Sequence, residues 1–265
     1  MTLRSMVGAV RRKVLCSFQR RMIPLGDHGP VVSFTFDDFP RSAYLAGAPI
    51  LEAFGGRGTY YATTGLLNTR DGLGDLFHVE DLHGLLERGH ELGTQTFRHS
   101  SSRRVSLTEF QDDVHKGIRE LERLVERHSD NFCYPYGHVT LRTKKTLAPY
   151  LASARSIYPG INGPEVDLNL LRANSLYRDM SGAPHAQELI EQNVAQKGWL
   201  VFYTHDVRPN PSEYGCTPEL LEFAVSTAAR SGSRILTVEQ VLAELGIAPQ
   251  GCRSCVPTGG TRVRS

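Results

Sequence analysis

The stretch "VVSFTFDDFP" at residues 31–40 joins an apolar run to two adjacent carboxylates and a proline. The run predicts a buried strand over 31–36, with Asp37 and Asp38 at its carboxyl end. Because successive side chains on a strand point to opposite faces, these carboxylates enter different environments. Two acids at the end of a buried strand indicate a chemical role for these carboxylates.

Outward from this stretch, strand-like runs alternate with helical ones. The predicted strands are "GTYYATT" (58–64), "HELGTQTF" (90–97), "NFCYPYG" with its turn (131–137), 153–157, "GWLVFYTHD" (198–206) and "RILTV" (234–238). The predicted helices are 43–54, 79–89, 107–128, 141–151, 185–197, 217–231 and 238–245. Alternation repeated about seven times implies an α/β fold with a parallel sheet, closed into a barrel or near-barrel. Chemistry in such barrels lies at the carboxyl ends of the strands.

Charge divides the chain of 265 residues into three parts. Residues 1–26 hold six basic side chains and no acid, and residues 247–265 hold three and none. Without these nine, the rest of the chain has 21 basic and 28 acidic residues. That balance argues against a nucleic-acid-binding body, which needs a basic face. We expect a basic amphipathic segment at 1–26, a barrel at 27–248 and a flexible basic tail at 249–265.

The two ends leave questions open. Apolar residues recur at helical spacing near the start, at Leu3, Met6, Val7, Val10, Val14 and Phe18. Either this helix packs on its own domain or a partner, or residues 1–22 lie on a membrane surface. No run approaches the ~20 apolar residues that span a bilayer. Arginines recur where a secretory signal peptide would have its continuous apolar region, so we expect a cytoplasmic location. Cys252 and Cys255 lack the second pair that a zinc site needs, which favours free thiols in the tail.

Polar side chains collect at several predicted strand ends. Gln95 and His99 follow the "HELGT" strand, and His205 and Asp206 follow "WLVFYT". The turn "YPYG" at 134–137 offers backbone N–H groups. Taken singly, each has a structural explanation, such as a hydrogen-bonded histidine or an aspartate that forms a turn. Together with the Asp pair they supply the parts of metal-assisted hydrolysis: ligands, a base, an oxyanion donor and an acid.

In these motifs the chain resembles the polysaccharide deacetylases with the NodB homology domain, carbohydrate esterase family 4. The resemblance runs from about residue 31 to residue 245. "TFDDFP" matches the first motif, TFDD, and "QTFRHS" the second, usually H[ST]xxH. "FCYPYG" matches the third, usually RxPY[GF], and "VFYTHD" matches the last, an apolar strand that ends in His. The resemblance implies a distorted (β/α)7 barrel.

The resemblance also implies a role for each matching residue. Asp37 would be the general base, while Asp38 and His99 would be ligands of a divalent metal, usually Zn²⁺. Tyr136 would donate its backbone N–H to the oxyanion, and His205 would protonate the leaving amine. A metal fits the chemistry because it makes water a nucleophile near neutral pH, and histidine titrates in the useful range for the acid.

Two positions depart from the family pattern. Gln95 stands where the second motif has its first His, and an amide oxygen is a weaker, harder zinc ligand than imidazole. Its i, i+4 relation to His99 predicts that both side chains lie on one side of a helical turn. Cys133 replaces the Arg that orients the catalytic Asp, and Arg172 is our candidate for its substitute. The Trp-rich fourth motif has no clear counterpart, since the only Trp is Trp199.

Further residues are predicted to contact substrate: Tyr134, Pro135, His138, Arg172 and Asp206. Asp206 either orients His205 or caps the loop that follows it. Three functions are open. The first is metal-dependent removal of an N-acetyl group from an amino-sugar-containing oligo- or polysaccharide. The second is a carbohydrate-binding pseudoenzyme of the same fold, and the third a metal-independent hydrolase of a cyclic amide.

Overall fold

The computed structural model describes residues 3–247, and the backbone alone at 3–7 and 9. The predicted tail with Cys252 and Cys255 lies outside the described residues. The strands are β1 (Met22–Pro24), β2 (Val31–Asp37), β3 (Thr59–Ala62), β4 (Arg70–Asp71), β5 (Gly74–Asp75), β6 (Glu91–Thr94), β7 (Asn131–Cys133), β8 (Ser153–Arg155), β9 (Glu165–Asp167), β10 (Asn174–Ser175), β11 (Trp199–Thr204) and β12 (Arg234–Ile235).

The helices follow the predicted alternation. They are α1 (Leu3–Ser17), α2 (Ala48–Ala53), α3 (Val79–Glu87), α4 (Leu107–Val125), α5 (Leu141–Leu147), α6 (Ala183–Gln196), α7 (Pro218–Arg230) and α8 (Val238–Glu244). A π-helical turn at Ala43–Gly47 leads into α2. Ser106 caps α4, because its hydroxyl accepts from the Glu109 N–H and the Glu109 carboxylate accepts from the Ser106 N–H.

The main sheet runs β10-β11-β2-β3-β6-β7-β8, with neighbouring strands parallel. Its two edges approach each other where Leu171, just before β10, forms a parallel bridge with Arg155 of β8. The Leu171 N–H donates to the Ala154 carbonyl at 2.9 Å, and the Ser156 N–H donates to the Leu171 carbonyl at 2.9 Å. The sheet therefore curls into the distorted (β/α)7 barrel that the sequence predicts, and that prediction is confirmed.

Strand periodicity decides which side chains enter the barrel. On β2, Val32, Phe34 and Phe36 belong to the core layer between the sheet and helices α2, α3 and α7. Asp37 has the opposite parity and therefore points inward. On β11, Tyr203 has the inward parity and packs in the inner core cluster. The same alternation directs side chains of β3, β7 and β8 toward Asp37.

The N-terminal helix packs on this barrel. Leu15 of α1 is 2% exposed and lies in a core cluster with residues of α4 and α5. The ammonium group of Lys144 donates to the carbonyls of Leu15 and Phe18 at 2.9 and 3.0 Å. Among the described residues, no helix combines the length and the apolar character that crossing a bilayer requires.

Candidate active site

A pocket of about 830 Å³ opens at the carboxyl ends of the strands. Its walls include the carboxylates of Asp37 and Asp38 and the imidazoles of His99 and His205. Asp37 ends β2, and the other three residues follow β2, β6 and β11 directly or within a short loop, so the parallel sheet brings all four to one edge. The convergence on which the sequence-based hypothesis depends is therefore present.

Asp37 is held by a buried arginine. The guanidinium of Arg155 forms an ion pair with the Asp37 carboxylate, and Arg155 is fully buried. The rings of Tyr61 and Tyr203 lie 5.2 and 5.0 Å from the guanidinium carbon. Burial alone would lower the pKa of Arg155, but Asp37 and neighbouring groups raise it above its ordinary value. Arg155 is therefore a permanent cation beside the predicted base.

Sequence reasoning missed Arg155, and strand register explains its position. Cys133 of β7 and Arg155 of β8 are direct cross-strand partners. The motif resemblance aligns Cys133 with the arginine of the third motif, and the Cys133 thiol lies 3.8 Å from Asp37 Oδ2. The positive charge thus comes from the adjacent strand. An arginine within a short buried strand was the available sequence signal, because Arg is almost never fully buried unless it is paired.

Tyr61 needs a glycine beside it to occupy the barrel interior. Gly93 is its register partner on β6. A Cβ added at Gly93 would lie 2.5 Å from a ring carbon of Tyr61. Gly93 therefore provides the space for the aromatic ring that supports the Arg155 guanidinium.

Asp38, Gln95 and His99 form a second group. Asp38 Oδ1 lies 3.3 Å from His99 Nε2 and accepts a hydrogen bond from the Thr63 hydroxyl at 3.1 Å. Gln95 Oε1 accepts from the Asp38 N–H at 3.3 Å, which directs its NH₂ to His99 Nε2 at 3.1 Å. The predicted proximity of Gln95 and His99 is present, but the predicted helical turn is wrong. Residues 95–99 form a bend in which Thr96 and His99 have φ values of 66° and 57°.

Burial sets the protonation of this group. It lowers the pKa of His99 to about 4, so the imidazole is neutral at pH 7. It raises the pKa of Asp38 to about 6, with the charge of His205 acting in the opposite direction. The 3.3 Å contact between Asp38 and His99 at neutral pH is therefore not a salt bridge. It brings two acceptor atoms together with no proton between them.

Such a gap fits a divalent cation. Two ligands at ~2.0–2.1 Å from a tetrahedral zinc are about 3.3 Å apart, which is the spacing of Asp38 Oδ1 and His99 Nε2. Gln95 completes the set only if its amide turns its oxygen inward and gives up the bond from the Asp38 N–H. No cluster of three or more His, Cys, Asp or Glu that could bind a metal occurs within residues 3–247. The donors present thus fit a cation with two strong ligands and one amide oxygen.

His205 approaches this group from the end of β11, which is the neighbour of β2 in the sheet. Its Nδ1–H donates to the Tyr214 carbonyl at 3.1 Å, which fixes the tautomer and leaves Nε2 free. Nε2 lies 3.9 Å from Asp38 Oδ2. A backbone carbonyl therefore orients His205, and Asp206 has a different task.

Asp206 is buried beneath the loop that follows His205. Its carboxylate accepts from the Ser212 N–H at 2.9 Å and from the Ser212 hydroxyl at 2.5 Å, and it pairs with Arg208 at 2.7 Å. A Cβ on Gly215 would lie 2.3 Å from Asp206 Oδ1, so this loop fits closely around the carboxylate. Of the two predicted roles, the structure shows loop capping, and Asp206 is not on the pocket wall.

The turn at Pro135–Gly137 carries the predicted oxyanion donor. The Gly137 N–H donates to the Tyr134 carbonyl and the His138 N–H to the Pro135 carbonyl, both at 2.9 Å. Neither bond uses the Tyr136 N–H. Tyr136 has a φ of 57°, a left-handed conformation that a non-glycine residue rarely adopts. Asp38 and His99 share it at 54° and 57°, so backbone strain gathers at this pocket.

Of the other residues predicted to contact substrate, one lines the pocket and the rest do not. Tyr134 lies on the pocket wall, whereas Pro135 is buried within its turn. The His138 Nδ1 contacts the Ser101 hydroxyl at 2.7 Å, away from the wall. Arg172 requires a correction: its guanidinium donates to the Pro159 carbonyl at 3.1 Å and lines a separate cavity. The expected approach of Arg172 to Asp37 is therefore absent, and the cation beside Asp37 is Arg155.

Aromatic side chains shape the mouth of the pocket, and two of them, Tyr177 and Tyr214, were not singled out from the sequence. Tyr177 lies between Tyr203 and Tyr214, with ring centroids 5.5 and 6.1 Å away. On the other side, Tyr136 lies over the His99 ring at 4.3 Å. Tyr136 and Tyr214 are 54% and 47% exposed, so their rings are available to a ligand.

Comparison with known proteins agrees with this geometry. Residues 26–150 match the sequence model of the polysaccharide deacetylase family. No curated protein matches the chain. Solved structures with the same fold include the Xyl-CE4 domain of a multidomain xylanase from the hindgut metagenome of Trinervitermes trinervoides. It is 16% identical with a TM-score of 0.56, and the match covers 84% of this chain and 94% of that one.

A second solved structure is the peptidoglycan deacetylase PdaC from Bacillus subtilis. It is 17% identical with a TM-score of 0.53, and the match covers 83% of this chain and 93% of that one. At these identities the likeness concerns the fold. Residues 26–150 therefore match the polysaccharide deacetylase family, and the chain as a whole has the NodB-like barrel fold of these solved deacetylase structures.

Proposed function

We propose that the protein hydrolyses an N-acetyl group from an amino-sugar-containing oligo- or polysaccharide in a metal-dependent reaction. The observation that carries the proposal is the meeting of Asp37, Asp38, His99 and His205 in one pocket. A site with no chemical task has no physical reason to bury two carboxylates beside two imidazoles. The match of residues 26–150 to the polysaccharide deacetylase family supports the same reaction class.

Each side chain has one task in the proposal. Asp37, fixed by Arg155, takes a proton from the attacking water. The Tyr136 N–H donates to the carbonyl oxygen as it gains charge. In its doubly protonated form His205 delivers the Nε2 proton to the departing amine and becomes neutral, while its Nδ1–H stays on the Tyr214 carbonyl. The exposed rings of Tyr136 and Tyr214 offer stacking surfaces for sugar rings.

Asp38, His99 and Gln95 would hold the divalent cation, most simply Zn²⁺. A cation there supplies Lewis acidity, which makes water nucleophilic near neutral pH. Because Gln95 contributes an amide in place of imidazole, we expect weaker metal binding than a site with two histidines and an aspartate would give. A cytoplasmic location stays a prediction.

Acetate release from chitooligosaccharides by the purified chain tests the proposal, with metal content measured on the same sample. We expect release that a chelator abolishes, and a loss of at least about 100-fold in Asp37→Asn. Asp71→Asn is the matched control, because Asp71 is an exposed carboxylate of the same pocket with no assigned task. We expect this control to stay within about threefold of the parent.

The same measurements separate the alternatives. Binding of the oligosaccharide with neither metal nor acetate release would support the pseudoenzyme. Ring-opening of a cyclic amide that persists in a chelator would support the metal-independent hydrolase. Equal acetate release from the parent and Asp37→Asn would remove Asp37 from the proposed reaction.

A further inference from the structure

Helix α1 presents an apolar stripe to solvent. Val10, Val14 and Phe18 are 64%, 36% and 57% exposed. Their spacing of four residues places them on one face, and the Phe18 N–H donates to the Val14 carbonyl at 3.1 Å, so Phe18 continues the helical turn. Leu15 is buried against the barrel instead. The stripe is therefore the outer side of a helix that is already packed.

Basic side chains flank the stripe. Arg11 and Lys13 are exposed on α1 on either side of it, and Arg103 and Arg104 are exposed on the loop before α4. Within residues 3–247, none of these four side chains forms an ion pair with an acid. The charge of Arg11 adds to burial in lowering the pKa of Arg103, which indicates that the two guanidinium groups are close. The surface thus concentrates positive charge without compensating it.

This surface adjoins the pocket mouth. The Arg11 guanidinium donates to the Val139 carbonyl at 3.2 Å, two residues beyond Gly137 of the pocket wall. The Arg103 guanidinium lies near the Tyr158 hydroxyl, and Tyr158 follows Ile157 of the same wall. A flat partner that covers this surface would lie at the edge of the pocket.

We propose that Val10, Val14 and Phe18, together with Arg11, Lys13, Arg103 and Arg104, form a docking surface for an anionic lipid bilayer. The apolar side chains enter the boundary between headgroups and acyl chains, and the arginines meet lipid phosphates. This pairing of an apolar stripe with flanking cations is the pattern of a helix that lies in a membrane interface. The inference is independent of the catalytic proposal, because it concerns residues outside the pocket.

Charge complementarity favours a bilayer over a second copy of the chain. Two copies joined through α1 would bring their arginines together with no acid from residues 1–26 to offset them. The body of the chain has more acids than bases, so an anionic surface attracts the basic face and repels the rest. The protein would therefore bind in one orientation, with the pocket mouth close to the lipid.

Vesicle co-sedimentation of the full chain tests this surface. We expect binding to phosphatidylcholine vesicles containing about 30% phosphatidylglycerol, no binding to phosphatidylcholine alone, and weakening with added salt. Val10→Ser combined with Phe18→Ser should reduce the partition coefficient at least about tenfold. Arg104→Glu should reduce it at least about fivefold. Circular dichroism and thermal unfolding check that these exposed substitutions leave the fold intact.

Matched controls carry the same chemical change elsewhere. Leu45→Ser removes a side chain that is 59% exposed, and Arg230→Glu reverses a charge on α7. Both should bind vesicles as the parent does. Equal binding to neutral and anionic vesicles would overturn the proposal, and so would equal losses in the controls and the α1 variants. A dimer in sedimentation velocity that Val10→Ser with Phe18→Ser dissociates would also overturn it, because the stripe would then be a protein interface.

Discussion

Arg155 and Asp37 form an ion pair inside the barrel, from strands β8 and β2, and Asp37 is only 3% exposed. The arginine that the third family motif would supply at position 133 is absent, but its charge is present one strand away. Because Cys133 and Arg155 are register partners, their Cα atoms lie at the same height along the barrel, and an arginine on either strand would start from that height. The orientation of the base thus depends on a contact that the motif does not contain.

We predict that Arg155→Met impairs both activity and stability. The substitution leaves the buried Asp37 carboxylate without its cation, which costs about 3–5 kcal/mol in free energy of unfolding. In the acetate-release assay, kcat should fall by about 100-fold or more, since Asp37 loses its position. Chemical denaturation and steady-state kinetics on the same preparation check the two effects.

A swap of the two cross-strand residues separates position from charge. Cys133→Arg combined with Arg155→Cys restores a guanidinium at the motif position, and we expect it to recover at least about tenfold of the lost kcat. Arg155→Met with Asp37→Asn should be closer to the parent in stability than Arg155→Met alone, because no unpaired charge remains buried. A swap no more active than Arg155→Met would contradict the proposed equivalence of the two strands.

The sequence predicted the fold and the convergence of the site for a single physical reason. Alternating strands and helices imply a parallel sheet, and in a parallel sheet all carboxyl ends meet at one edge. It did not predict Arg155, because the contact depends on the register between β7 and β8. The helical-turn argument for Gln95 and His99 failed because left-handed residues bend the chain there. Asp206 was ambiguous because its partner, Ser212, is set by the path of a loop.

Gln95→His should strengthen metal binding. The amide of Gln95 joins the Asp38 N–H to His99 Nε2, and so engages the nitrogen lone pair that a cation needs. An imidazole at position 95 provides a stronger nitrogen ligand, so we expect affinity for Zn²⁺ to rise about tenfold or more. Competition with a chromogenic chelator measures this affinity without reference to turnover.

Gln95→Ala serves as the control for that variant. It frees His99 Nε2 but adds no ligand, and its zinc affinity should therefore stay below that of Gln95→His. If Gln95→His binds zinc no better than the parent, then position 95 does not face the cation.

Asp206→Asn should slow turnover by loosening the loop that orients His205. The new amide group would either turn its NH₂ toward the Ser212 N–H and hydroxyl or lose the ion pair with Arg208. Either change should destabilise the loop by about 1–3 kcal/mol. Once the loop shifts, the Tyr214 carbonyl no longer holds His205 Nδ1. We expect kcat to fall about tenfold with a displaced pH profile and little change in KM. Ser212→Ala, which removes one hydroxyl, should have a smaller effect; an unchanged pH profile in Asp206→Asn would mean that the loop does not position His205.

Glu91, at the end of the barrel opposite the pocket, predicts a pH dependence of stability that is separate from catalysis. Its buried carboxylate accepts from the Thr59 hydroxyl and the Glu239 N–H, both at 2.8 Å, yet burial raises its pKa to about 7. This pKa is above the pKa of Glu91 in the unfolded chain. The contribution of Glu91 to the free energy of unfolding is therefore fully present below about pH 4.5, and it is lost as the pH rises through about 7. Glu91→Gln mimics the protonated acid, so its stability relative to the parent should increase between pH 5 and pH 8 by up to about 3 kcal/mol. Denaturant titrations of both chains measure this difference, from which the Asp38 contribution cancels; parallel curves would show that Glu91 does not ionise in this range.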